Sequence, residues 1–186
     1  MLYYNTQMIS MSTTMPTTDT RAFHQHDHDH CIDEALSTAH QLCKDSGVKL
    51  TSLREQVFTI VWQSHKPLGA YAILEQLAEA QAPGQRRMAP PTVYRALEFL
   101  QANGLVHRIA SLNAYIGCCT PARAHQSHFL ICRQCDATVE IPAGSISQAI
   151  AQSAQLARFQ VEAECVEIIG LCPRCQTQQQ GASTDE

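Results

Sequence analysis

Two C-x-x-C pairs, Cys132-Arg133-Gln134-Cys135 and Cys172-Pro173-Arg174-Cys175, constrain this chain more than any other feature. Each pair brings two thiolates within reach of one ion, and four thiolates complete a tetrahedron around zinc with no position left open. The 36 residues between the pairs must then fold so that two distant turns meet. Segments 129–131, 137–141 and 160–171 carry strand patterning, and 142–156 reads as a helix beginning near Ser145. A strand lies beside each pair, so forming the sheet would close the site. A redox dithiol is the competing reading, but thioredoxin-type chemistry uses one C-x-x-C at a helix N-terminus and has no need of a second. The expectation is a structural zinc held by Cys132, Cys135, Cys172 and Cys175.

The half that precedes this unit is patterned differently. Ile32, Leu36, Ala39 and Cys43 recur at helical spacing over 32–46, before Gly47. Thr51 is placed to cap a second helix with Leu53, Val57, Ile60 and Val61 inward. A third helix is expected over 70–80, with Ile73, Leu74 and Leu77 inward. After a polar loop, 82–89, Pro90-Pro91-Thr92 introduces a fourth helix capped by Thr92, its face made by Val93, Ala96, Leu97 and Leu100. Strands over 105–110 and 114–117, joined by a turn at 111–113, follow Gly104. Helices closed by a hairpin describe a winged helix-turn-helix, whose last helix enters the major groove.

The fold class is therefore α+β: a winged helix-turn-helix domain (31–118), a hinge (119–124) and a small α/β domain (125–176) with a four-cysteine structural zinc. Residues 1–30 read as a disordered tail ending in alternating His24, His26, His28 and His30, and 177–186 as a second disordered tail.

Net charge is −4, which taken whole argues against nucleic acid. Its distribution argues the other way: residues 44–108 hold eight basic and five acidic side chains, between flanks in which acidic groups predominate. No apolar run approaches the roughly 20 residues of a membrane span, and no signal-peptide pattern is present, so the default location is cytoplasmic. In reducing cytosol nine cysteines point to metal rather than disulfides.

Four more residues have metal-ligand chemistry: His107 in the first wing strand, Cys118 after the second, His125 in the connection, and Glu140 in a strand of the C-terminal unit. One thiolate, two imidazoles and a carboxylate suit tetrahedral zinc. Ligands drawn from both domains would fix the angle between them. Spacing alone leaves Cys119 as an alternative to Cys118, and His128 as an alternative to His125.

The run Pro90-Pro91-Thr92-Val93-Tyr94-Arg95-Ala96-Leu97-Glu98-Phe99-Leu100 resembles the recognition helix of the ferric uptake regulator (Fur) superfamily, and Leu50-Thr51-Ser52-Leu53-Arg54 resembles the opening of that family's second helix. Both C-x-x-C pairs match its structural-zinc positions, and the similarity covers roughly residues 31–176. Within the superfamily the chain is most similar to the zinc uptake regulators, where His107, Cys118, His125 and Glu140 fall at regulatory zinc ligands. Iron-sensing members carry His-His-Asp-His before the first C-x-x-C, whereas this chain has His125-Gln126-Ser127-His128. A thiolate also favours zinc over iron or manganese.

The resemblance implies a non-enzymatic repressor. A zinc-loaded homodimer would bind a palindromic double-stranded DNA operator and repress zinc-uptake genes, with no membrane partner and no small-molecule substrate. Arg95 would pair with guanine N7 and O6. Tyr94 would meet a phosphate or a thymine methyl, and the Thr92 N–H a phosphate. Tyr71 resembles a family position that touches DNA. For Arg95 the bland alternative is a phosphate contact or a solvated helix face, and for both tyrosines it is packing. Three rivals stand beside this reading: an iron, manganese or peroxide sensor of the same fold, a dithiol oxidoreductase, and a zinc-ribbon adaptor. The adaptor leaves residues 90–100 unexplained.

Overall fold

The structure is a computed structural model and describes residues 21–23, 28–81, 88–121 and 126–182. Its helices are α1 (His28–Asp45), α2 (Ser52–Trp62), α3 (Ala70–Glu79), α4 (Pro90–Ala102), α5 (Gly144–Leu156) and α6 (Pro173–Ala182). The strands are β1 (Leu68–Gly69), β2 (Val106–Ile109), β3 (Ala114–Gly117), β4 (Ser127–Cys132), β5 (Thr138–Pro142) and β6 (Val166–Gly170). They form two sheets, ordered β1-β3-β2 and β5-β4-β6.

The first lobe follows the hydrophobic period. Val93, Ala96, Leu97 and Leu100 of α4 are all buried against Val57 and Val61 of α2 and Ile73 and Leu77 of α3. Cys43 sits in this core as a small hydrophobe. Asn113 takes a positive φ of 47° in the β2–β3 turn, and its side chain accepts a bond from Arg108 at 2.9 Å.

Gly117 is glycine for a packing reason. A Cβ there would overlap the indole of Trp62, so strand β3 lies directly on the ring. Gly117→Ala should destabilise the fold by about 1–3 kcal/mol, measured as a lower midpoint in thermal or denaturant unfolding. An unchanged midpoint would mean that the ring and strand can move apart freely.

Several local expectations are corrected. Thr92 is not the cap of α4. Ala89 is, because Pro90 and Pro91 fill the first two helical positions, where a missing N–H costs nothing. The Thr92 N–H is already bonded to the Ala89 carbonyl at 2.9 Å, so it is not held out for a phosphate. Thr51 does occupy the cap of α2, but its side chain makes no capping bond. α1 begins at His28, inside the stretch read as a tail. Upstream, a 3₁₀ turn (Arg21–Phe23) buries Phe23 beside Cys132, Cys172 and Cys175. Apolar residues in a polar segment find their cover only in the tertiary structure. The C-terminal stretch from residue 177 likewise continues α6 to Ala182. β1 pairs with β3 through two residues, too short for any periodic signal. β6 is shorter than the 160–171 expected. His24, His26, residues 82–87, His125 and residues 122–124 of the expected hinge lie outside the described residues.

In the second lobe β4 pairs antiparallel with β5 and parallel with β6, with α5 as the crossover. Alternation along β4 gives each face a job. Cys132 and Leu130 join the core around the cysteines, while Phe129 and Ile131 pack on Ile109 and Ile116 of the wing sheet. This second cluster is an apolar seam between the lobes.

Candidate metal centres and nucleic-acid face

The first centre is built at a strand end and a helix start. Cys132 is the last residue of β4, and Asp136 turns the chain back with a φ of 60° while its N–H bonds the Cys132 carbonyl at 2.9 Å. Cys172 directly precedes α6, whose first residue is Pro173, and Cys175 lies in the first turn. The four sulfurs lie within 4.8 Å of one another. A tetrahedral ion with metal–sulfur bonds of about 2.3 Å needs sulfur–sulfur edges of about 3.8 Å, and Cys135 Sγ lies 3.8 Å from Cys172 Sγ.

The electrostatics agree with that fit. Burial disfavours the Cys132 thiolate, but N–H groups of Cys172, Gln134 and Cys135 outweigh it and bring the pKa down to about 6. Burial and its neighbouring cysteines push Cys175 up to about 12. Burial also raises Cys135. One negative sulfur is tolerated, and further ionisation needs a cation between the sulfurs.

The second centre sits at the edge of the inter-lobe seam. His107 on β2, Cys118 after β3 and Glu140 on β5 place one ligand atom each within 4.8 Å of the others. His107 Nε2 is 3.4 Å from Glu140 Oε1, and both side chains are largely buried. The Phe129 ring stands edge-on to the imidazole, centroids 5.4 Å apart. Burial, then the Glu140 charge, pushes the Cys118 thiol up to about 12, so it gives up its proton only to a cation. His125, expected as the fourth ligand, lies outside the described residues.

Neither sequence alternative joins this group. His128 points to the opposite face of β4, fully buried, with Nε2 3.2 Å from Ser147 Oγ and 3.5 Å from Glu164 Oε1. Cys119 is exposed, and its backbone N–H bonds Glu140 Oε2 at 3.2 Å. Ser127 was missed from the sequence. Its hydroxyl donates to Glu140 Oε1 at 2.7 Å and lies 3.3 Å from His107 Nε2. The pairing of Ser127 with Pro142 and Phe129 with Glu140 puts it on the same face as the carboxylate, and no sequence spacing announces that.

The residues expected to read DNA differ in exposure. Arg95 is exposed on α4, Thr92 is half-buried one turn earlier, and Tyr94 is half-buried against the core. Tyr71, on the first turn of α3, is 66% exposed. Behind them the Arg54 guanidinium lies 3.5 Å from the centroid of Phe99, a cation–π contact between α2 and α4. No helix among the described residues is long and apolar enough to cross a membrane.

The model of the ferric uptake regulator family matches residues 45–169, from the end of α1 into β6, and so takes in both lobes. The chain belongs to that family. Among its relatives, the zinc uptake regulation protein of Escherichia coli (strain K12) is 33% identical over 143 residues, 76% of this chain and 81% of that one. A solved zinc uptake regulator complexed with zinc and DNA matches at 32% identity and a TM-score of 0.72, covering 80% of this chain and 97% of that one. Holo XcZur matches at 35% identity and a TM-score of 0.69, covering 78% and 99%. The Fur family is one of transcription regulators.

Proposed function

We propose that this chain is a zinc-responsive repressor that binds a palindromic operator as a homodimer and silences zinc-uptake genes. The observation that carries the reading is the second centre: an imidazole, a thiol and a carboxylate from two lobes converge at the seam between them. His107 and Cys118 belong to the lobe carrying α4, and Glu140 to the other. Bound zinc would supply a cross-link among these three and His125, whose place as fourth ligand rests on its sequence position. The four-cysteine centre is closed and structural, holding β4 to the start of α6. Ser127 orients the second centre by bonding its carboxylate.

The fit to a zinc- and DNA-bound relative across four-fifths of this chain supports the same pose here. Dimerisation would use the second lobe. β6 is an edge strand with Ile168 and Ile169 42% and 60% exposed, and α5 buries none of its residues. An apolar edge of that kind invites pairing with a second copy. Two α4 helices held at a fixed separation would then match half-sites about 34–36 Å apart, or a multiple.

Gel shift on a palindromic operator, titrated with buffered zinc and repeated with buffered iron, tests the reading. Zinc-dependent retardation at lower free metal than iron supports it. Binding that ignores zinc, or that prefers iron, overturns it. Arg95→Ala should weaken operator binding about tenfold to a hundredfold and relax preference at one base position, measured on a panel of single-base operator variants. A uniform loss across the panel would assign Arg95 to a phosphate instead.

A further inference from the structure

The wing is also held to the second lobe at a residue outside both candidate metal centres found among the described residues. Glu167 of β6 accepts two backbone hydrogen bonds from the β2–β3 turn, from the Ala110 N–H at 2.6 Å and from the Ser111 N–H at 3.0 Å. These residues are 56 and 57 positions apart in sequence, so the contact belongs to the relation between lobes and not to local structure. A carboxylate spanning two adjacent N–H groups makes charge-assisted bonds, about twice as strong as neutral ones. Burial opposes its ionisation, but the bonds from Ser111 and Ala110 outweigh that and hold the Glu167 carboxyl below the ordinary range.

The sheet register shows what this contact does. Phe129 on β4 pairs with Glu140 on β5 and with Glu167 on β6. Residues paired across neighbouring strands point to one face of a sheet. One row of the second lobe therefore presents, side by side, the carboxylate of the second metal centre, the phenyl ring of the seam and the carboxylate under the wing turn. With strands about 4.8 Å apart, the two carboxylate positions are separated by roughly 10 Å. The wing meets this row at His107 on one side and at Ala110 and Ser111 on the other, across the seam formed by Ile109 and Ile116. An attachment at one point leaves the wing free to pivot about it. Two attachments on either side of an apolar seam remove that rotation.

We infer that Glu167 is a positioning residue for DNA recognition: a metal-independent latch that fixes the wing at a second point, so that loading the metal centre becomes a change in the pose of α4. This rests on the proposed zinc-responsive reading, and its test has one arm that does not.

The test compares wild type and Glu167→Gln as full-length, zinc-loaded dimers. Glutamine keeps the size but removes the charge and turns one acceptor into a donor facing an N–H. Glu162→Gln, an exposed carboxylate on the same lobe, serves as control. Amide exchange at Ala110 and Ser111, read by NMR, should quicken about tenfold or more in Glu167→Gln and remain unchanged in the control. Zinc affinity of the isolated protein, measured against a competing chelator, should fall less than tenfold, while operator affinity at saturating zinc should fall at least tenfold. Unchanged exchange at the two amides overturns the latch. Faster exchange with undiminished operator binding overturns its positioning role. Failure of the wild type to respond to zinc would defeat the proposed function, yet the exchange result would still report whether the latch exists.

Discussion

Cys132→Ser is expected to cost the second lobe its fold and the protein its dimer. A structural zinc contributes about 10–16 kcal/mol in small domains, against total stabilities of about 5–15 kcal/mol. The core here offers little else. Phe23, Ala137, Val139 and the cysteines themselves make up the buried cluster around the four sulfurs. Cys132 is also the sulfur that accepts the Cys172 N–H at 3.3 Å, so its loss removes both a ligand and the contact that brings the two pairs together. The variant should lose one zinc per chain by metal analysis, sediment as a monomer at micromolar concentration and show no cooperative melting of the second lobe. A dimer with normal zinc content and melting would show that the cluster is not a metal staple.

Cys118→Ser should act on the opposite side of the problem, leaving the fold and abolishing the response. A serine hydroxyl stays protonated where a thiol becomes a thiolate around a cation, so the three-donor group loses its soft ligand with only a small loss of volume. The variant should remain a folded dimer with one zinc per chain. Its operator affinity should no longer rise with zinc, forfeiting a coupling that is typically 1–3 kcal/mol, or about 5- to 150-fold. The same linkage requires that operator DNA stop tightening zinc binding. Cys119→Ser is the matched control and should respond normally, because Cys119 is exposed and its bond to Glu140 comes from a backbone N–H that the substitution keeps. If the two variants exchanged phenotypes, the ligand would be Cys119.

What could be read without coordinates followed from how each feature is encoded. The α4 core was plain because Val93, Ala96, Leu97 and Leu100 repeat at the helical period, and the four-cysteine cluster because each pair is local. α6 was missed because its sequence is polar all round and offers no apolar stripe. Phe23 was missed because one aromatic in a polar segment has no period at all. The second centre is the instructive case. His107, Cys118 and Glu140 are brought together by two separate sheets, so ligand chemistry and spacing left Cys119 and His128 as alternatives, and likeness to a family chose among them. Ser127 and Glu167 were invisible. Their roles depend on strand register, which the residues alone do not declare.

The packing of Trp62 on Gly117 has a practical consequence. The chain has a single tryptophan, and its ring lies against the residue that precedes Cys118. All indole emission therefore arises at the joint between the lobes, and the protein carries its own optical gauge of whether that joint is open or closed.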